Sequence, residues 1–238
     1  MKFKKVSLLA IIGAAVTAVV MSGTADAAVG PVQYPPFAVT STVPFAPLAG
    51  VSAISANDVW AVGRDDANML AENWNGQQWS SSALPAVAGA TADSNLRLTG
   101  VSGDSASDVI AVGTNLGVGP LAFRWSGSAW QALPVPSGAW WSSMAHVKAF
   151  SPTSAWAIGE TSTATGYTAT ATQWNGKAWT QVATPFSTSL VLTMNAISGS
   201  SPTDIWAAGT AQSLGYRNRA GLRTKSSSLF RGFPVMLL

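Results

Sequence analysis

Between residues 48 and 216 the apolar residues come in short runs bounded by Ser, Asp, Asn, Gly and Pro, and after residue 27 none of them shows helical spacing. One run recurs as a phrase: Asp58-Val-Trp-Ala-Val-Gly63, Asp108-Val-Ile-Ala-Val-Gly113, Ser154-Ala-Trp-Ala-Ile-Gly159 and Asp204-Ile-Trp-Ala-Ala-Gly209. Its closing glycines stand 50, 46 and 50 residues apart. A shorter apolar run precedes each phrase: Val51-Ser-Ala-Ile54, Val101-Ser102, Val147-Lys-Ala-Phe150 and Asn195-Ala-Ile-Ser198. After three of the phrases comes a Trp-x-Gly-x-x-Trp element, Trp74 to Trp79, Trp125 to Trp130 and Trp174 to Trp179, followed by Pro85, Pro134 or Pro185. Segments this short, rich in Val, Ile and Trp and closed by turn residues, predict strands. Asn-Gly between two tryptophans predicts a tight hairpin, since both residues tolerate positive φ.

Each complete unit therefore holds four strands in about 50 residues, the plan of a β-propeller blade. The fold class expected is all-β: a propeller of four-stranded antiparallel blades, about four repeats, the last incomplete. The blocks resemble the DVWAVG…WNGxxW repeats of secreted bacterial β-propellers, related in style to kelch and BNR (Asp-box) repeats. The resemblance covers residues 48 to about 215. It implies the fold and leaves the activity open, because propellers host many unrelated functions. The Gly-Gly doublet of kelch repeats and the Ser-x-Asp-x-Gly-x-Thr-Trp of the Asp-box are both missing, so neither subfamily is assigned.

The fourth unit departs from the pattern. From closing glycine to first tryptophan the earlier units count 11, 12 and 15 residues, which places the fourth tryptophan between 220 and 224; the chain reads Ala220-Gly-Leu-Arg-Thr224. Residues 217–238 form a basic tail outside the repeat, read either as a shifted frame or truncation after about Leu214, or as a genuine basic extension. The tail is expected to contribute little to the ring, leaving the edge of the fourth unit's second strand open around Ile205 to Ala208 unless the leader covers it. That open blade edge would favour self-association. In the leader, residues 28–47, Phe37-Ala-Val-Thr-Ser-Thr-Val-Pro44 is similar to Trp179-Thr-Gln-Val-Ala-Thr-Pro185, as expected of a ring-closing strand; an ordinary extended leader is the alternative.

Residues 1–27 read as a signal peptide: Met1-Lys-Phe-Lys-Lys5, an apolar run from Val6 to Met21, and Ala25-Asp-Ala27 at the cleavage site. The apolar run of 16 residues is shorter than the roughly 20 a spanning helix needs, so a membrane span is not expected. A secreted, extracellular protein is expected. It has no cysteine, which excludes disulfides and thiol chemistry. The overall charge of +3 misleads: residues 28 to 216 carry five basic against nine acidic residues, a net −4. A basic stripe for nucleic acid is absent from the repeats.

Nine of the eleven tryptophans occupy repeat positions and are expected to pack between blades and across hairpins. Asp58, Asp108 and Asp204 sit one residue before strands in Ser- and Asn-rich turns and are expected to bond nearby backbone amides rather than calcium. Residues outside the repeat are better candidates for binding. Trp140 and Trp141 have no counterpart in other units. Strand alternation puts their loop on the same face as Arg64, Asp65, Asp66 and Glu160, with His146, the single histidine, beside the channel. An aromatic platform with mixed hydrogen-bonding groups fits a sugar or peptide. No metal set, cofactor motif or nucleophile elbow is present. The leading expectation is a non-catalytic propeller binding extracellular carbohydrate or protein. The alternatives are a polysaccharide-acting hydrolase or lyase, which would require converging carboxylates such as Asp65, Asp66 and Glu160, and a truncated, inactive copy of a longer propeller.

Overall fold

The structure is a computed structural model. It describes residues 46–66, 68–91, 94–115, 119–136, 142–163, 166–182, 190–213 and 225–231. Residues 1–27, read above as a signal peptide, residues 28–45 of the expected leader, and Trp140 and Trp141 lie outside the described residues.

The described residues form four antiparallel sheets and no α-helix. Blade 1 comprises β1 (Leu48–Ser55), β2 (Asp58–Asp65), β3 (Asn68–Trp74) and β4 (Trp79–Ser81). Blade 2 comprises β5 (Arg97–Ser105), β6 (Asp108–Asn115), β7 (Gly119–Trp125) and β8 (Trp130–Ala132). Blade 3 comprises β9 (His146–Ser151), β10 (Ser154–Thr163), β11 (Gly166–Trp174) and β12 (Trp179–Val182). Blade 4 has three strands, β13 (Leu190–Ser201), β14 (Asp204–Ser213) and β15 (Lys225–Arg231). Strands pair in chain order within every sheet, the meander of propeller blades.

The repeated phrase is the second strand of each blade, and strand alternation gives it two apolar faces. The leading face of one blade meets the trailing face of the next, and this junction forms an apolar core three times. Trp60, Val62 and Ala71 of blade 1 pack on Val101, Val109, Ala111, Phe123 and Trp130 of blade 2. Ile110 and Val112 pack on Ala155, Ala157, Trp174 and Trp179. Trp156 and Ile158 pack on Met194, Ile205 and Ala207. Trp60 lies against the Trp125–Trp130 pair, with ring centres at 5.0 and 5.1 Å. Aromatic contacts of this kind contribute about 0.5–1.5 kcal/mol beyond area burial.

The phrase ends in glycine for a steric reason. A Cβ on Gly63, Gly113, Gly159 or Gly209 would overlap the carbonyl oxygen of Pro47, Arg97, Ser143 or Thr193, where the inner strand begins. In the Trp-x-Gly-x-x-Trp hairpins, Gly76 and Gly176 adopt φ of 92° and 90°. Asn75 Oδ1 accepts from the amides of Gln77 and Gln78, both at 2.9 Å, and Asn175 Oδ1 repeats this with Lys177 and Ala178 at 3.0 Å.

Two expectations are corrected. The aspartates that open the second strands bond side chains rather than turn amides. Asp58 accepts from Asn73 Nδ2 at 2.9 Å, Asp108 pairs with Arg124, and Asp204 accepts from Ser200 Oγ at 2.7 Å. The turn amides are taken by serines instead: Asn57 N–H donates to Ser55 Oγ, and Thr153 N–H to Ser151 Oγ. In blades 1 and 2 the aspartate, already in the strand, faces a third-strand side chain, Asn73 or Arg124. The second correction concerns the tail. Its residues Lys225–Arg231 form β15 and pair with Gln212 through Trp206, so the edge expected to stand open is covered.

Candidate functional site

Residues of the inner strands β1, β5, β9 and β13 border an open cavity of about 240 Å³. Small residues at equivalent register positions, Gly50, Gly100 and Ala196, let the inner strands approach closely: a Cβ on Gly50 would press on the Gly100 backbone. In blade 3 that position is His146, paired with Ile158 as Gly100 pairs with Val112. An imidazole there brings a polar group to the wall of the cavity, alongside Thr99 and Asn195. Thr99 Oγ1 donates to the Met144 carbonyl at 3.0 Å, and the exposed Asn195 donates to Thr210 Oγ1 at 3.2 Å.

His146 and Glu160 converge on one backbone unit of blade 4. Glu160 Oε1 accepts from the Met194 amide at 3.2 Å and also bonds the Thr193 side chain. His146 lies beside the Met194 backbone. Burial dominates the electrostatics of both groups. It raises the Glu160 carboxyl above its ordinary value, with the bonds from Met194 and Thr193 pulling back. It lowers His146, with the Met194 backbone opposing. Both therefore favour their neutral forms, and together they clasp blade 3 to blade 4 beside the cavity.

The other predicted residues fall into a separate group. Arg64 and Asp65 end β2 and Asp66 makes the turn at φ 48°, so all three sit at one corner of blade 1. Arg64 donates to Asn95 Oδ1 at 2.9 Å, tying that corner to the connection into blade 2. Among the described residues no hydrogen bond or ion pair joins this corner to Glu160. Ser143, two residues after Trp141 in the sequence, bonds Glu160: Ser143 N–H donates to the Glu160 carbonyl at 2.8 Å, and Ser143 Oγ accepts from the Glu160 amide at 3.3 Å. Pro136 and Ser142, on either side of the pair, border a small cleft of about 40 Å³ with Gly159 and Thr161.

Two features escaped the sequence reading. Thr99 and Asn195 line the cavity, and their signal was available: each lies just before the inner-strand position where Gly100 or Ala196 sits. The second is an acidic pair in blade 2, where the buried Asp108 neighbours Arg124 and the exposed Asp104. Burial raises Asp108 most, Arg124 lowers it and Asp104 raises it further. No cluster of three or more metal-ligating side chains occurs among the described residues. Among them no helix is long and apolar enough to cross a membrane.

No protein-family model matches the chain, and no curated protein matches it. Solved structures do. SapL1 lectin in complex with alpha methyl fucoside aligns at a TM-score of 0.45 and 14% identity, over 79% of this chain and 66% of the lectin. YCF48 from Cyanidioschyzon merolae aligns at 0.44 and 16%, over 77% of this chain and 58% of its own. The Bombyx mori GH32 beta-fructofuranosidase BmSUC1, a variant in complex with sucrose, aligns at 0.44 and 9%, over 79% of this chain and 47% of its own. The chain thus spans about half to two thirds of the length of these proteins.

Proposed function

We propose that the protein is exported after cleavage at Ala27 and acts without catalysis, binding extracellular carbohydrate through the inner surface of its blades and the adjoining Trp140–Trp141 loop. The observation that carries this reading is the open cavity bordered by four inner strands, with Thr99, His146 and Asn195 among its lining residues. Hydroxyl, imidazole and amide groups over strand backbone suit the alternating donors and acceptors of a sugar ring. The volume falls below the roughly 300–1,000 Å³ of pockets for drug-sized ligands, so a single sugar residue or chain end is the fitting occupant. Glu160 argues against a hydrolytic role. Its carboxyl is engaged by Met194 and Thr193 across a blade junction, and it does not converge with Asp65 or Asp66.

A glycan array probed with the purified protein tests this reading. Binding to a defined sugar class is expected, with Trp141→Ala weakening it about tenfold or more if that ring stacks on the sugar, as aromatic contacts on the order of 1 kcal/mol or above imply. An array without signal, beside capture of an extracellular protein, would move the ligand class from carbohydrate to protein.

A further inference from the structure

Two hairpins present an exposed asparagine followed by glycine, Asn75-Gly76 in blade 1 and Asn175-Gly176 in blade 3. In each the asparagine side chain folds back over the turn. Asn75 Oδ1 accepts from the Gln77 and Gln78 amides at 2.9 Å, and Asn175 Oδ1 from the Lys177 and Ala178 amides at 3.0 Å. Reaching both amides carries Cγ toward the intervening glycine peptide. Among the described residues neither the Gly76 nor the Gly176 amide has a hydrogen-bond acceptor. Glycine is fixed at both positions by φ of 92° and 90° and by crowding. A Cβ on Gly76 would stand 2.6 Å from Asn57 Oδ1, and one on Gly176 2.8 Å from Thr153 Cγ2. The main-chain nitrogen next to each asparagine therefore carries no side chain to shield it.

An unshielded nitrogen beside a side-chain amide is a nucleophile beside its target. The Gly76 nitrogen gives up its proton and attacks Asn75 Cγ. The new C–N bond forms, the Cγ–Nδ2 bond breaks, and Nδ2 leaves with that proton as ammonia. The cyclic imide then takes up one water at either of its carbonyls, giving aspartate or isoaspartate. One water enters, one ammonia leaves, and nothing is oxidised or reduced. In the first step negative charge develops on Oδ1. Two main-chain N–H groups already point at that oxygen, the arrangement that stabilises a forming oxyanion in acyl transfer. Asn175 and Gly176 repeat the geometry. The hairpin of blade 2 has the same turn, with Gly127 at φ 90° and Ser126 N–H donating to the Ala129 carbonyl at 3.1 Å, but its serine has no amide to lose.

We infer that Asn75 and Asn175 are self-modifying sites, where the hairpin's own amides promote the loss of ammonia and leave an anionic turn. An aspartate keeps both acceptor bonds and makes them charge-assisted. An isoaspartate adds a carbon to the main chain between two tryptophans that pair across the hairpin, Trp74 with Trp79 or Trp174 with Trp179. Each event adds a negative charge to repeats that already carry a net −4 between residues 28 and 216. The inference is independent of what the protein binds.

The purified protein is held at neutral pH and physiological temperature in heavy-oxygen water, folded in buffer and unfolded in guanidinium chloride. Its proteolytic peptides are followed by mass spectrometry. The expected result is exchange of the side-chain nitrogen for one labelled oxygen at Asn75 and Asn175, about tenfold faster in the folded protein. One such donor supplies about a hundredfold or more in a water-excluded active site, and these turns are exposed. The exposed Asn57, Asn68 and Asn195, followed by Asp58, Met69 and Ala196, are internal references expected to stay unchanged. A double variant, Asn75→Asp with Asn175→Asp, is expected to keep the native tryptophan fluorescence, because its carboxylates accept the same amide bonds. Three results would overturn the inference: a folded protein that reacts no faster than the unfolded chain, equal reaction at the three reference asparagines, or a double variant whose fluorescence is that of the unfolded chain.

Discussion

At Gly113 and Gly159 the chain has no room for a methyl group, because the inner strand's carbonyl occupies the place a Cβ would take. Gly159→Ala must push the Ser143–Met144 backbone, just before β9, away from β10, and overpacking of this kind costs about 1–3 kcal/mol. The expected loss in melting temperature is about 4–8 °C for a domain of this size; a change under 1 °C in differential scanning calorimetry would mean that the inner strand yields freely. Glu160 gives a test with a sign. Its folded carboxyl titrates above the ordinary 4.5, so the folded state holds its proton more tightly than the unfolded state. Ionisation of Glu160 therefore costs stability as pH rises through that raised value, and acidification restores it. Glu160→Gln keeps an acceptor for the Met194 amide and removes the charge. The variant is expected to be the more stable of the two at neutral pH, with the difference closing as pH falls toward 4.5. His146 acts in the opposite sense, its lowered value costing stability as pH falls below 6.5, but it is present in both proteins and cancels. Urea melts at several pH values read the difference, and a gap that widens on acidification would contradict the burial account.

Among the elements, the complete units were legible from sequence because each strand carries its own punctuation. The phrase supplies a two-faced strand, glycine marks the inner-strand crossing, and Asn-Gly sets the hairpin. β15 was missed because that punctuation is absent. Its residues Leu229, Phe230 and Arg231 occupy the register positions of Ala122, Phe123 and Arg124, but they follow Gly209 after a much longer connection, and the sequence continues with glycine where blade 2 continues with Trp125. Spacing from the glycine pointed to residues 220 to 224, and the charges of the tail made the stretch look foreign. Since β15 covers seven residues of the β14 edge, deleting residues 217–238 is expected to lower the melting temperature by more than about 5 °C, on the scale of roughly 1–2 kcal/mol. The shortened chain should also associate more, because an uncovered edge recruits other strands. Equal melting temperatures would return the tail to the role the sequence alone suggested.

Across the whole molecule, the period of the repeat determines a succession of blades and leaves the site open. The sequence grouped Arg64, Asp65, Asp66 and Glu160 by loop class, which alternation along strands makes readable, and placed His146 beside the channel. Which of them meet depends on blade-to-blade contacts that one unit does not encode. His146 and Glu160 come together because β13 packs across both, while Arg64 is drawn to Asn95 in the connection from blade 1 to blade 2. The cavity residues Thr99 and Asn195 looked ordinary because only the arrangement of four inner strands gives them a shared space. The central claim, that a ligand binds on this inner surface, is tested most directly by amide NMR of the labelled protein titrated with a glycan that binds on the array. The account predicts saturable shifts at Thr99, His146 and Asn195, with the Asn75–Gly76 and Asn175–Gly176 turns unmoved. Shifts confined to those turns, with the inner strands silent, would contradict it.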